Sequence, residues 1–132
     1  MDKYLLGLDV GTTGTKAILF TVSGAVVAQA YRGYPTQMPR VEFREQNPED
    51  WWQAVCQTTK EVCAGKEADV AALSLSTQGG TMVAVDSTME PLRPAIVWND
   101  TRAEEECGEF LEQVGNADLM YQKTGWELHA SA

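Results

Sequence analysis

Hydrophobic positions change their period several times along the chain, and each change marks a predicted element. Tyr4–Asp9 and Lys16–Val22 are apolar runs of strand length, Ser23-Gly24 makes a tight turn, and Ala25–Tyr34 forms a third strand, so the chain opens as a meander. Pro35–Gln46 has no periodicity, carries two prolines, and reads as a loop crossing a sheet edge. Asn47-Pro48-Glu49-Asp50 then starts a helix: Asn caps, Pro takes the first helical position, and two acids face the positive end of the helix dipole. The helix is predicted to reach about Ala64, where Gly65 stops it. Trp52, Val55, Cys56, Thr59, Val62 and Cys63 recur at helical spacing, which predicts that both cysteines are buried.

Farther on, Asp69–Ser76 and Met82–Asp86 read as strands flanking Thr77–Thr81, a second strand–loop–strand unit. Ser87–Pro94 is turn-rich, and Ala95–Trp98 is a short strand. A second helix follows, with Thr101 and Glu104 at capping-box spacing and an apolar stripe of Ala103, Cys107, Phe110, Leu111 and Val114. Its glutamate-rich face is expected to be solvated. Asp118–Ala132 is expected to hold no closing element.

Composition narrows the class. A 132-residue chain that is 44% hydrophobic and 22% charged is expected to fold as one globular domain with a modest core. The net charge of −9 makes nucleic acid a poor partner, although one local lysine suffices for a nucleotide held by backbone amides and a metal. Cys56, Cys63 and Cys107 are an odd number with no C-x-x-C pair, which argues against a disulfide framework or zinc site and for the cytoplasm. No apolar run approaches the roughly 20 residues of a membrane span.

The candidate chemistry lies where strands end. Asp9 closes the first strand and opens Val10-Gly-Thr-Thr-Gly-Thr-Lys16, a turn whose backbone N–H groups, hydroxyls and lysine suit phosphate, with Asp9 placed for hydrated magnesium. Gly11 and Gly14 permit positive φ and close backbone approach. A P-loop is excluded by spacing, because two residues rather than four separate the glycines and Lys16 leads into another strand. The loop is therefore a β-hairpin, and a plain turn with a surface lysine is its bland alternative. Gln78-Gly79-Gly80-Thr81 and Asn99-Asp100-Thr101-Arg102 offer amide, carboxylate and guanidinium groups to a hydroxylated ligand. Their bland alternatives are a hairpin turn, a helix cap at Asp100, and an intrahelical pairing of Arg102 with Glu105 or Glu106. The single histidine, His129, lies in the tail away from the strand-end motifs, so no Ser-His-Asp triad is read from them.

Four ordered motifs carry a resemblance: Asp9–Lys16, Asn47-Pro-Glu-Asp-Trp-Trp52, Ser76-Thr-Gln78, and Pro94-Ala-Ile-Val-Trp98-Asn-Asp100-Thr-Arg102. Together they resemble the FGGY carbohydrate kinases, which include xylulose, gluconate and glycerol kinases. The resemblance implies an α/β fold of the ribonuclease-H-like, actin-like ATPase superfamily, a mixed sheet with flanking helices. Residues 1–132 would be the N-terminal part of the first of two domains, and so an incomplete domain. It implies ATP and Mg2+ as cofactors, Gly11, Thr12, Thr13, Gly14, Thr15 and Lys16 at the nucleotide phosphates, and Asp9 at the metal. Gln78, Gly79, Gly80, Asp100 and Arg102 would face a small sugar or polyol. No catalytic base falls within the chain; that aspartate is expected beyond Ala132.

One departure bears on the acceptor. Where glycerol kinases follow the glutamine with Arg-Glu and xylulose kinases with Met-His, this chain has Gly79-Gly80, which removes two side chains from the pocket. The expected reaction is transfer of the ATP γ-phosphate to a carbohydrate hydroxyl, foremost that of a ketopentose such as xylulose. Two rivals stand beside it: an actin-like ATPase or sugar-responsive regulator that phosphorylates no sugar, and a truncated structural fragment. Exposed apolar surface and an open sheet edge would leave room for a homodimer.

Overall fold

A computed structural model describes residues 3–115 and 117–130. The chain divides into two compact units where composition predicts one core. The first takes the chain up to Thr36 together with Asn47–Gly79, and the second takes Gln37–Gln46 with the chain from Gly80 onward.

The first unit is a four-stranded mixed sheet in the order β3-β2-β1-β5. β1 (Tyr4–Val10), β2 (Gly14–Thr21) and β3 (Val26–Gly33) are the predicted meander, each boundary within two residues of its expected place. β5 (Val70–Thr77) lies parallel to β1, and α1 (Pro48–Cys63) makes the crossover between meander and β5. The local logic of α1 holds: Asn47 caps it, with its side-chain oxygen accepting from the Glu49 amide at 3.2 Å, and Pro48 is the first helical residue.

Alternation along the strands decides which face is core. Leu6 and Leu8 of β1 and Ala17 and Leu19 of β2 are buried with Ala30, Val62 and Cys63 on the side that α1 covers. The stripe on α1 departs from expectation, because its buried residues are Ala54, Thr58, Val62 and Cys63, while Cys56 is exposed. The reason is where the helix lies: it packs mainly over β2 and β3. Trp52, Val55, Cys56 and Thr59 therefore border an open apolar groove with Leu73 and Leu75, each 56% exposed on β5.

In the second unit, β4 (Glu45–Gln46) pairs antiparallel with β6 (Ala95–Ile96). β4 falls in the predicted loop; two residues are too few to carry a period. The strand predicted at Met82–Asp86 does not form. Met82 bridges Ile96 and Val85 bridges Pro91, but Pro91 and Pro94 lack the N–H groups that would extend a ladder. Asp86 instead closes a turn, its Oδ1 accepting from the amides of Thr88 at 2.8 Å and Glu90 at 3.1 Å.

α2 (Glu104–Val114) starts later than the predicted capping box allows, with Ala103 at its cap and no side-chain cap bond. Thr101 is already used, its amide donating to the Glu42 carbonyl at 2.9 Å. The predicted stripe on α2 includes no buried residue. α3 (Ala117–Thr124) occupies the tail, where no element was expected. No helix among the described residues is long and apolar enough to cross a membrane.

Candidate functional site

The hairpin between β1 and β2 forms as spacing predicts. Val10 pairs with Thr15, and the Gly11 amide donates to the Gly14 carbonyl at 3.1 Å across the three-residue turn Gly11–Thr13. Neither Gly11 nor Gly14 has positive φ, so the left-handed conformation that glycine permits is not used here. Gly14 is required by space instead: a Cβ there would lie 2.6 Å from the Arg32 carbonyl oxygen and against the Tyr31 ring.

Asp9 and Lys16 are direct cross-strand partners, and Ser76 of β5 pairs with Asp9 from the other side. All three line one groove with Gly7 and Ser74, on the sheet face away from α1. Among the described residues no ion pair engages either Asp9 or Lys16, so a carboxylate and an ammonium stand exposed at the mouth of the hairpin. Sequence reading did not place Ser74 and Ser76 at this groove, because strand register is decided by the fold. Their alternation with Leu73 and Leu75 was the available signal.

Around the turn, Thr12 is half-buried and Thr13 exposed, whereas Thr15 is fully buried at 0% exposure. The Thr15 side chain thus lies inside the unit, whereas Thr12 and Thr13 lie nearer the surface of the turn. Gln78 joins this unit through its amide, which donates to the Val10 carbonyl at 2.9 Å, and Gly79 follows it at the surface. No group of three or more His, Cys, Asp or Glu side chains among the described residues is placed to hold a metal. One free carboxylate, hydroxyls and water suit magnesium, which keeps most of its hydration and takes few protein ligands.

The second unit holds the other candidates. Gly80 has φ +72, and a Cβ there would lie 3.3 Å from Trp98 Cβ. It opens no hairpin back onto β5, which sets aside that bland alternative. Trp98 is 45% exposed, with its amide held by Thr81 Oγ1 at 3.1 Å.

Asp100 is 3% exposed and saturated with donors. It accepts from the Arg44 amide at 2.6 Å, the Arg102 amide at 3.0 Å, and Arg102 Nε and Nη2 at 2.7 Å each. Burial alone would raise its carboxyl pKa, but these donors prevail and hold it at about 2. The Asp100 hydrogen bonds raise the Arg102 guanidinium in turn. Arg102 also donates to Glu45 at 2.8 Å, as Arg93 does, and stacks on Phe43 with 3.8 Å to the ring centroid. Neither helix capping at Asp100 nor intrahelical pairing of Arg102 describes this arrangement. Glu45, Arg44 and Phe43 were missed because their motif partners lie more than fifty residues away.

Residues 4–131 match the model of the N-terminal domain of the FGGY family of carbohydrate kinases. A gluconokinase from Bacillus subtilis is 38% identical over 133 residues, an alignment covering 100% of this chain and 26% of that protein. The crystal structure of gluconate kinase from Lactobacillus acidophilus superposes with TM-score 0.90 at 32% identity, over 100% of this chain and 27% of its own. That of ligand-bound xylulose kinase from the same organism gives 0.89 at 32% identity, over 98% and 26%. The chain thus spans about a quarter of the length of the relatives it matches.

Proposed function

The chain belongs to the FGGY family of carbohydrate kinases, with their actin-like ATPase fold, and on that premise we propose that it supplies the phosphate-binding hairpin of an ATP-dependent sugar or polyol kinase. The observation that carries this reading is the register of Asp9 opposite Lys16 beside the Gly11–Thr13 turn, both charges unspent. Turn amides other than that of Gly11, with the Thr12 and Thr13 hydroxyls, would hold the nucleotide phosphates, and Lys16 would offset charge gathering on the transferred group. Asp9 would hold magnesium through water; when bound, that ion neutralises the phosphates.

Phosphoryl transfer asks little covalent chemistry of the protein, so placement and charge dominate the barrier. By resemblance, Gln78 and Gly79 of the first unit, and Gly80 and Arg102 of the second, are each candidates for contact with the acceptor. Asp100, being saturated, would hold Arg102 and the segment in place rather than bind the acceptor itself. The acceptor class is a sugar, sugar acid or polyol, since gluconokinases, glycerol kinases and a xylulose kinase all resemble this chain at 30% identity or more, and a ketopentose stands first among them only on the reading of the motifs. An aspartate outside these residues would take the hydroxyl proton.

The test is to incubate the full-length protein with ATP and magnesium against xylulose, other ketoses, gluconate and glycerol, and to look for the phosphorylated acceptor. A phosphorylated sugar is expected. Release of inorganic phosphate with no phosphorylated acceptor in any arm would replace this reading with that of an actin-like ATPase.

A further inference from the structure

Resting on the kinase reading above, we propose that Tyr31 and Tyr34 are positioning residues for the nucleotide phosphates: two phenol hydroxyls that grip the Gly11–Thr13 turn by its carbonyls and fix its shape before ligand arrives. The turn needs such help. It is short and bordered by glycine, and glycine-rich backbone has many conformations of similar energy. A backbone anion site, by contrast, works when its amides are already aimed.

The grip is explicit. Tyr31 Oη donates to the Thr13 carbonyl at 2.9 Å, with a longer contact to Thr13 Oγ1 at 3.4 Å. Tyr34 Oη donates to the Gly11 carbonyl, and the Tyr34 amide to the Thr13 carbonyl at 3.3 Å. In a trans peptide the C=O and the following N–H point in opposite directions. Holding the Gly11 carbonyl on Tyr34 therefore turns the Thr12 amide the other way, and the engaged carbonyls present less negative charge to an approaching phosphate.

The two rings act from opposite sides of the sheet. Tyr31 stands across from Lys16 in the β2–β3 register, on the face that carries Asp9. Tyr34 lines a groove with Asp50, Gln53 and Ala54 of α1. Sterics record how close the first ring lies, since a Cβ on Gly14 would strike it and one on Gly33 would come within 3.4 Å of the Thr13 carbonyl oxygen. Burial raises the Tyr34 phenol above its ordinary pKa, against an opposing effect of Thr15, so it stays a donor through neutral and mildly alkaline solution.

The test uses the full-length protein with Tyr31→Phe, Tyr34→Phe and the double variant, each change removing one hydroxyl and keeping the ring. Hydrogen exchange of the amides from Gly11 to Lys16 is measured without nucleotide, and the affinity for ADP with magnesium is measured by calorimetry. We expect faster exchange confined to the turn, ADP bound about three- to tenfold more weakly per hydroxyl removed, and KM for the acceptor unchanged. Unchanged exchange, or unchanged ADP affinity despite faster exchange, overturns the proposal. A lowered thermal midpoint with equal losses for nucleotide and acceptor also overturns it, because that is the pattern of a purely structural contact. Wild-type protein that binds no ADP overturns the kinase reading and this one together, whereas wild type that binds while the variants match it removes this one alone.

Discussion

The hairpin of the first unit and the ion-pair cluster of the second use similar side chains to opposite ends. At the hairpin, Asp9 and Lys16 sit opposite one another, exposed and without ion pairs among the described residues. In the cluster, Asp100 is buried under four donor contacts and Arg102 is shared between two carboxylates. The lesson is that a motif carboxylate is available for chemistry only when the fold leaves its lone pairs unspent. A carboxylate ringed by donors has been assigned to architecture, and what it contributes is the fixed position of its neighbours.

This contrast can be broken from either side. The largest effect is expected at Asp100→Ala, which leaves the Arg102 guanidinium with one carboxylate partner fewer in a largely buried site. Loss of a buried partner of this kind costs about 3–5 kcal/mol of stability. Urea unfolding checks it, and a near-neutral result would mean the cluster is not structural. Asp9→Ala is expected to do the reverse in the full-length protein, lowering kcat by about a hundredfold, or about 2.7 kcal/mol, at unchanged unfolding midpoint. Steady-state kinetics beside a thermal melt separates the two, and a melt that falls with kcat would erase the distinction.

Acid sharpens the same comparison. The Asp100 pKa is about 2 in the folded chain against 3.8 for the free carboxyl, so folding is favoured while the group is ionised. That contribution, at most about 2.5 kcal/mol, is fully present above roughly pH 4 and disappears as pH falls through the folded value. Stability measured from pH 5 to 2 should show this loss, and Asp100→Asn should abolish most of it. The smallest effect belongs to the cysteines of α1. Cys63→Ser buries a hydroxyl in the core and is expected to cost about 1–3 kcal/mol, whereas exposed Cys56→Ser should fall within about 0.5 kcal/mol. Equal effects would restore the stripe that periodicity predicted.

What could be read in advance follows the range of the interactions. The Asn47 cap, Pro48 and the turn at Ser23-Gly24 are local, and their elements form where expected. Met82–Asp86 has the composition of a strand, yet forms only bridges because its partners include prolines. Thr101 has the spacing of a cap, yet its amide is taken by Glu42, far away in sequence. The tail helix α3 carries too weak an apolar pattern to stand out among its polar residues.

The sequence by itself determined the hairpin, the capped crossover helix and the order of motifs that place the chain among the FGGY carbohydrate kinases, because each depends on residues close together in the chain. Only the tertiary structure decided which motif residues keep their charge free. Register set Asp9 between Lys16 and Ser76, the fold buried Thr15 inside the unit, and Glu45 and Arg44 arrived to saturate Arg102 and Asp100. Those outcomes depend on desolvation and on partners distant in sequence, and no local pattern encodes either.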